Sequence, residues 1–303
     1  MFEIPPLITL VREMEIGAIK TRVPEIKFPQ GANPALPSLP LRGIALGGSS
    51  SGKTNMISTL ITDPRFLRGK FEKLYWCSPT ALIDDALQPL RDYVNEELDQ
   101  DQDQDRTFHD HLDVPFLTRV IERARRVMEY LKSRKPRPKR AFNTLIVLDD
   151  LGDDSRPEAR KLVNTLFMKA RHWGVSTILS IQRLRLPLAT PTARVNATIV
   201  WCWRLKNSTD LLDGLIWEYS ALAPKEKIMA AYRAAVDQPY GFLTIRTSEQ
   251  DPNKMFMNGF KSYFRILDKD DEATSSGPAQ ARGASQQKAH SAHDQGTQSG
   301  EDL

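Results

Sequence analysis

Short, continuously apolar runs alternate along the middle of the chain with longer stretches whose apolar residues recur every three or four positions. The runs are Gly43 to Leu46, Lys73 to Cys77, Thr144 to Leu148, Val175 to Ile181 and Ala197 to Trp203. Runs this short, with no polar alternation, predict strands buried on both faces, as in a parallel sheet. Between them, Thr54 to Ile61, Pro115 to Lys132, Pro157 to His172, Thr209 to Leu222 and Pro224 to Ala235 predict helices. The third of these strands carries the strongest signal, and it ends in two carboxylates, Asp149 and Asp150. Near the end, Gly241 to Arg246 and Lys254 to Met257 flank Asp251-Pro252-Asn253 and predict a hairpin. Strands alternating with helices predict an α/β domain with a mostly parallel sheet flanked by helices.

The flanks read differently. Residues 1–40 are punctuated by Pro5, Pro6, Pro24, Pro29, Pro34, Pro37 and Pro40, which predicts an extended arm laid on the domain, with one strand at Leu7 to Val11. Residues 97–106 are acidic and of low complexity and predict a solvated surface loop. Residues 268–303 are rich in Ser, Gln, Gly, Ala and His and predict a disordered tail. The expected organisation is therefore an arm (1–40), one domain (41–267) and a tail (268–303).

Composition narrows this little: 303 residues, 40% hydrophobic and 26% charged, fit an ordinary soluble globular protein. The net charge of +4 is unevenly spread. One basic stretch, Arg119 to Arg140, includes Arg123, Arg125, Arg126 and the proline-broken run Lys132 to Arg140. It is open to three readings: a solvated basic loop, a contact for nucleic-acid phosphates, or a nuclear-localisation signal. The sequence offers no zinc finger, helix-turn-helix or aromatic platform, so any nucleic-acid contact is expected to be with the backbone. Cys77 and Cys202 both lie in apolar runs and are expected to be buried thiols rather than a disulfide. No leader pattern opens the chain and no apolar run reaches the roughly 18 residues of a membrane span, so an intracellular protein without a membrane partner is expected.

The most specific chemistry lies just after the first apolar run. Gly47-Gly48-Ser49-Ser50-Ser51-Gly52-Lys53-Thr54 has the spacing G-x-x-x-x-G-K-[ST] between a strand and a helix. Glycines there let backbone amides converge on a polyphosphate; Lys53 can reach the β- and γ-phosphates and the Thr54 hydroxyl can complete a Mg²⁺ shell. The expected ligands are ATP and Mg²⁺, on residues 47–55 with Asn55 at the end of the loop. Asp149 is expected to organise the metal, and Asp150 to act as general base toward the attacking water. Gln182, ending the next strand, would sense the γ-phosphate. Arg171, placed near the same sheet edge, could supply transition-state charge to a neighbouring subunit, in competition with Arg183, Arg185, Arg194 and Arg204. His172 reads as a helix C-terminal residue.

Four features together resemble the packaging ATPases of large DNA viruses, the poxvirus-type branch of the FtsK–HerA superfamily, whose relatives also occur in virophages and Maverick/Polinton elements. They are Gly47 to Thr54; Leu145 to Asp150; Ala170-Arg171-His172-Trp173-Gly174 leading to Gln182; and Gln238 to Leu243. The similarity covers about residues 40–248. It implies a RecA-like P-loop NTPase core, with an extra strand between the phosphate-loop and carboxylate strands. It also implies a ring of subunits, a capsid partner, a virus factory or assembling virion as location, and pumping of double-stranded DNA. By the same analogy Arg171 is favoured as the trans-acting arginine, and the Arg183-Leu184-Arg185 loop becomes a second candidate for lining a DNA pore. One departure is Asp150, where many of the wider superfamily carry glutamate. Two rival readings stand beside this one: a P-loop nucleotide kinase or other small-molecule phosphotransferase, and a non-catalytic nucleotide-gated DNA-binding scaffold.

Overall fold

The computed structural model describes residues 27–98, 100, 106–135 and 141–266. The expected strand at 7–11, the loop residues 136–140 and the tail lie outside the described residues, as do 99 and 101–105 of the acidic loop.

From the amino end, β1 (Arg42–Leu46) is followed by α1 (Lys53–Thr62), β2 (Lys73–Cys77), α2 (Gln88–Glu97), β3 (Phe108–His109) and α3 (Val114–Ser133). Then come β4 (Thr144–Asp149), α4 (Pro157–Met168), β5 (Val175–Ile181), α5 (Pro191–Asn196) and β6 (Ile199–Trp203). A π-helical segment (Asp210–Ile216), α6 (Lys225–Ala235), β7 (Phe242–Ile245), α7 (Pro252–Met255), β8 (Phe256–Asn258) and β9 (Ser262–Tyr263) complete the described order.

The nine strands of the described residues form one sheet in the order β3-β2-β4-β5-β1-β6-β7-β8-β9, parallel from β3 to β6 and antiparallel beyond. β5 thus lies between β1, which delivers the phosphate loop, and β4, which delivers the carboxylates. This is the extra strand that the resemblance implies. Every residue of β1, β4 and β5 is buried, which accounts for their unbroken apolar character.

Successive residues feed opposite faces. Ile44, Leu46, Ile146, Leu148, Leu179 and Ile181 join a core built with α3, α4 and α6. Ala45, Leu145, Val147, Ile178 and Trp201 join the opposite core with α1 and α2. The two faces give three layers, held chiefly by apolar burial at about 1.5–3 kcal/mol per large side chain. Gly43 is small for a reason: a Cβ there would stand 2.6 Å from the indole of Trp201, which crosses over it.

Several boundaries differ from the sequence reading. The helix expected over 157–172 ends at Met168, and Ala170–Trp173 form a 3₁₀ turn. Gly174, at φ 76°, closes it, its N–H donating to the carbonyls of Ala170 and Arg171. Residues 191–196 are helical, with the Thr190 hydroxyl accepting from the amide of Ala193, so β6 begins at Ile199 rather than 197. The stretch from 209 is π-helical over Asp210–Ile216. In the hairpin, residues 252–255 are helical because Asp251 caps the Asn253 amide, and pairing with β7 starts at Phe256. The acidic loop also departs from a solvated surface at one residue. Gln100 is buried, its amide group accepting from the Leu74 amide and donating to the Leu74 carbonyl at 3.0 and 2.7 Å. Residues 27–40 pack on the domain through Ala35, Leu36 and Leu39. Both cysteines are buried and free, and burial pushes both thiols up.

Candidate nucleotide site

The phosphate loop leaves the carboxyl end of β1, anchored by the Gly47 amide donating to the Ile181 carbonyl at 3.1 Å. A Cβ on Gly47 would meet Trp203 Cβ at 2.8 Å, so only glycine lets the loop pass this close to β6. The backbone then turns through left-handed conformations at Ser50 (φ 59°) and Gly52 (φ 95°) and enters α1. The unpaired amides of the first turn of α1 and its dipole therefore face the loop's concavity, an arrangement suited to phosphate.

Lys53 is buried, and its ammonium donates to the carbonyls of Gly47 at 2.7 Å and Gly48 at 3.0 Å, closing the loop on itself. Burial lowers its pKa, and the charges of Asp150 and Asp149 oppose that fall. One residue on, the Thr54 hydroxyl donates to Asp149 Oδ2 at 2.8 Å. Asp149 is only 3% exposed. Burial raises its pKa, against the pull of the neighbouring Ser180 and Thr54 hydroxyls and of Lys53. Its second oxygen, Oδ1, is buried and makes no hydrogen bond of good geometry, and neither does Ser180 Oγ, which lies close to the carboxylate on the adjacent strand.

Asp150 follows the end of β4 with φ 55° and an exposed side chain. Its amide donates to the Ser180 carbonyl at 3.1 Å, and its Oδ1 accepts from Gln182 Nε2 at 2.8 Å. A cleft of about 600 Å³ is lined by residues 49–56 of the loop and α1, by both Asp149 and Asp150, and by Ser78, Thr80 and Tyr240. The structure therefore brings together residues 47–55, Asp149 and Asp150, with Gln182 joined to them through Asp150.

It does not bring Arg171 to the chain's own cleft, and the expectation that Arg171 lies near the same sheet edge as Gln182 needs correction. Arg171 precedes β5, whereas Gln182 follows it; seven strand residues, about 23 Å at ~3.3 Å each, separate the two ends. Arg171 thus sits at the amino ends of the strands, opposite the phosphate loop. Among its competitors, Arg183 pairs with Asp210 at 3.2 Å and Arg194 with Glu218 at 3.1 Å. Arg185 donates to the Asp213 carbonyl, and Arg204 to the Val236 carbonyl. On α3, Arg125 and Arg126 are engaged by Glu122, which reduces the charge of that basic face.

Sequence reasoning missed Ser78, Thr80 and Tyr240. For the first two, a signal existed: they follow the carboxyl end of a predicted parallel strand, where open α/β sheets place their ligands. Tyr240 is 73% exposed and reaches the cleft through a turn made 186 residues after Thr54; it lies inside the Gln238 to Leu243 feature that carries the resemblance, but nothing local ties that feature to the phosphate loop.

A family described as Poxvirus A32 protein matches residues 33–232. The chain belongs to this family. The match spans the phosphate loop, β4 and β5 together with Gln182, and stops before Tyr240. Uncharacterized protein 075L of Invertebrate iridescent virus 6 is 29% identical over 149 residues, 49% of this chain and 54% of that protein. The chain thus spans about half the length of that curated relative.

Among solved structures, the genome packaging NTPase B204 of Sulfolobus turreted icosahedral virus 2, in complex with ATP-gammaS, is similar with TM-score 0.44 and 14% identity. That likeness covers 75% of this chain and 98% of B204. The pCW3 conjugation coupling protein TcpA with ATPgS gives TM-score 0.47 and 13% identity, over 77% of this chain and 63% of TcpA. Likenesses this distant assign no chemistry to the A32-family chain. No helix among its described residues is long and apolar enough to cross a membrane.

Proposed function

We propose that this chain is an ATP-hydrolysing motor that moves double-stranded DNA, in a ring of identical subunits, during packaging of a viral or virus-like genome. The observation that carries the reading is the Thr54–Asp149 hydrogen bond, which joins the phosphate cradle to the carboxylate strand. Membership of the A32 family supports it.

In this reading the amides of residues 47–54 and the Lys53 ammonium hold the triphosphate. Lys53 would exchange its two loop carbonyls for phosphate oxygens. The orphaned Asp149 Oδ1 beside the Thr54 hydroxyl fits a hydrated magnesium ion, because an oxygen-only shell with few protein ligands is what that ion prefers. When bound, the ion would neutralise charge on the β- and γ-phosphates. Asp150, exposed at the cleft, accepts the proton of the attacking water. Gln182 holds the Asp150 carboxylate, and its release toward a γ-phosphate would couple binding to activation of the base. Arg171 can act on a nucleotide held by a phosphate loop only across a subunit boundary, since the phosphate loop of its own chain lies at the other end of the sheet. DNA contact would be with the backbone, a capsid component would receive the ring, and the assembling virion would be its place of work.

The test is phosphate release by the purified full chain, with and without long linear duplex DNA, alongside a native mass measurement with a non-hydrolysable ATP analogue. A DNA motor shows turnover raised several-fold by duplex and a closed oligomer. Turnover indifferent to DNA, with phosphate passing to a small acceptor, would establish a phosphotransferase instead. Nucleotide binding without turnover under either condition would establish the scaffold.

A further inference from the structure

At the amino ends of the central strands, a cavity of about 380 Å³ is lined by Arg42, Arg171 and His172, with Ser38, Thr198 and Ser248 around its rim. Arg42 belongs to β1 and is 8% exposed. Its guanidinium reaches one acceptor, the Phe167 carbonyl, at a long 3.4 Å, and its Nε is buried with no partner. Among the described residues, the Arg171 side chain makes one hydrogen bond, donating from Nε to His172 Nε2 at 3.4 Å, which leaves that imidazole nitrogen an acceptor. Among the described residues neither arginine has an ion pair.

A buried guanidinium without a counter-charge is unfavourable, and nature seldom retains one unless something supplies the charge. The local field is positive throughout. Burial and the Arg171 charge lower the Arg42 pKa to about 10, which still leaves it charged at neutral pH. Burial, then Arg171, Lys132 and Arg42, lower that of His172. Two guanidinium forks converging on one cavity suit a tetrahedral oxyanion taken by several N–H donors.

We infer that this cavity is a second phosphate-binding site, on the opposite end of the sheet from the phosphate loop. Its ligand is a phosphate group with room for an attached sugar, carried by a nucleotide tail or by a DNA phosphodiester. Arg42 anchors the site from β1, and Arg171 lines it from the exposed side. The inference does not depend on hydrolysis at the first site.

The test uses the full chain carrying Lys53→Ala, titrated by calorimetry with inorganic pyrophosphate at constant chloride concentration. Saturable binding that weakens at least tenfold on adding Arg42→Met, and similarly on adding Arg171→Ser, is the expected result. Arg42→Met should fold, because it removes an uncompensated charge while keeping an apolar stem. Arg171→Ser, at an exposed position, carries the test by itself if Arg42→Met does not fold. Competition of a short duplex with pyrophosphate assigns the site to the phosphodiester. Pyrophosphate binding undisturbed by duplex assigns it to a nucleotide tail. Undiminished pyrophosphate affinity in the foldable variants, or no saturable binding at all, overturns the proposal.

Discussion

The Thr54 hydroxyl donates to Asp149 Oδ2 at 2.8 Å, although 95 residues of chain separate the two. One lies on the first turn of α1 and the other on the last residue of β4, with β5 inserted between their strands. A buried carboxylate is thereby held by a hydroxyl that a magnesium shell also needs.

That burial has a pH signature. The folded-state pKa of Asp149 is raised, so its contribution to stability is fully present below about 3.8 and is lost as pH rises through the raised value. Asp149→Asn should therefore melt above the wild type at neutral pH, measured without nucleotide and in EDTA. The difference should close as pH falls below about 3.8. An Asn variant melting well below wild type at pH 7 would mean that the ionised carboxylate is stabilised, contrary to this account. The same variant should lose Mg²⁺-dependent turnover.

Asp150 differs from Asp149 in being exposed and held by Gln182 alone through its side chain. Asp150→Asn should bind ATP with near wild-type affinity and reduce single-turnover hydrolysis about 10²–10⁴-fold. Gln182→Ala should leave folding intact, because both partners are at the surface, and reduce turnover while freeing the carboxylate. Normal hydrolysis by Asp150→Asn would remove the residue from the mechanism.

Gly174 closes the 3₁₀ turn at φ 76°, and a Cβ there would stand 2.3 Å from the Phe142 carbonyl oxygen. Gly174→Ala should cost about 2–4 kcal/mol, combining left-handed strain with a backbone clash. Urea denaturation measures it. An effect under about 0.5 kcal/mol would show that the turn relaxes freely.

Arg171 lies at the opposite end of the sheet from the cleft of its own chain. If it completes a neighbour's site, Arg171→Ala subunits mixed with wild type should depress ATP turnover more than in proportion to their share. Simple linear dilution would place the residue outside catalysis and leave it to the amino-end cavity alone.

How much of this was legible beforehand depends on the range of the interactions involved. β2 and β5 match their sequence-predicted limits because a strand buried on both faces must be apolar along its whole length, and its ends show as polar breaks. The end of α4 was not legible: 157–172 keeps a helical rhythm, but the chain must tighten to bring Gly174 under Phe142 and start β5. Gln100 looked like one more solvated residue of an acidic stretch. Its burial follows from the free amide and carbonyl of Leu74, which nothing in its own neighbourhood announces.

The sequence by itself determined the phosphate loop, the alternation of buried strands with amphipathic helices, and the pair of carboxylates closing the strongest strand. Each is a local requirement, met by residues within a few positions of one another. Only the tertiary structure decided which strands are neighbours, and hence that Thr54 touches Asp149, that Gln182 holds Asp150, and that Arg171 joins Arg42 at the far end. Sheet order is fixed by packing summed over both cores, a sum to which every element contributes and which no single segment encodes.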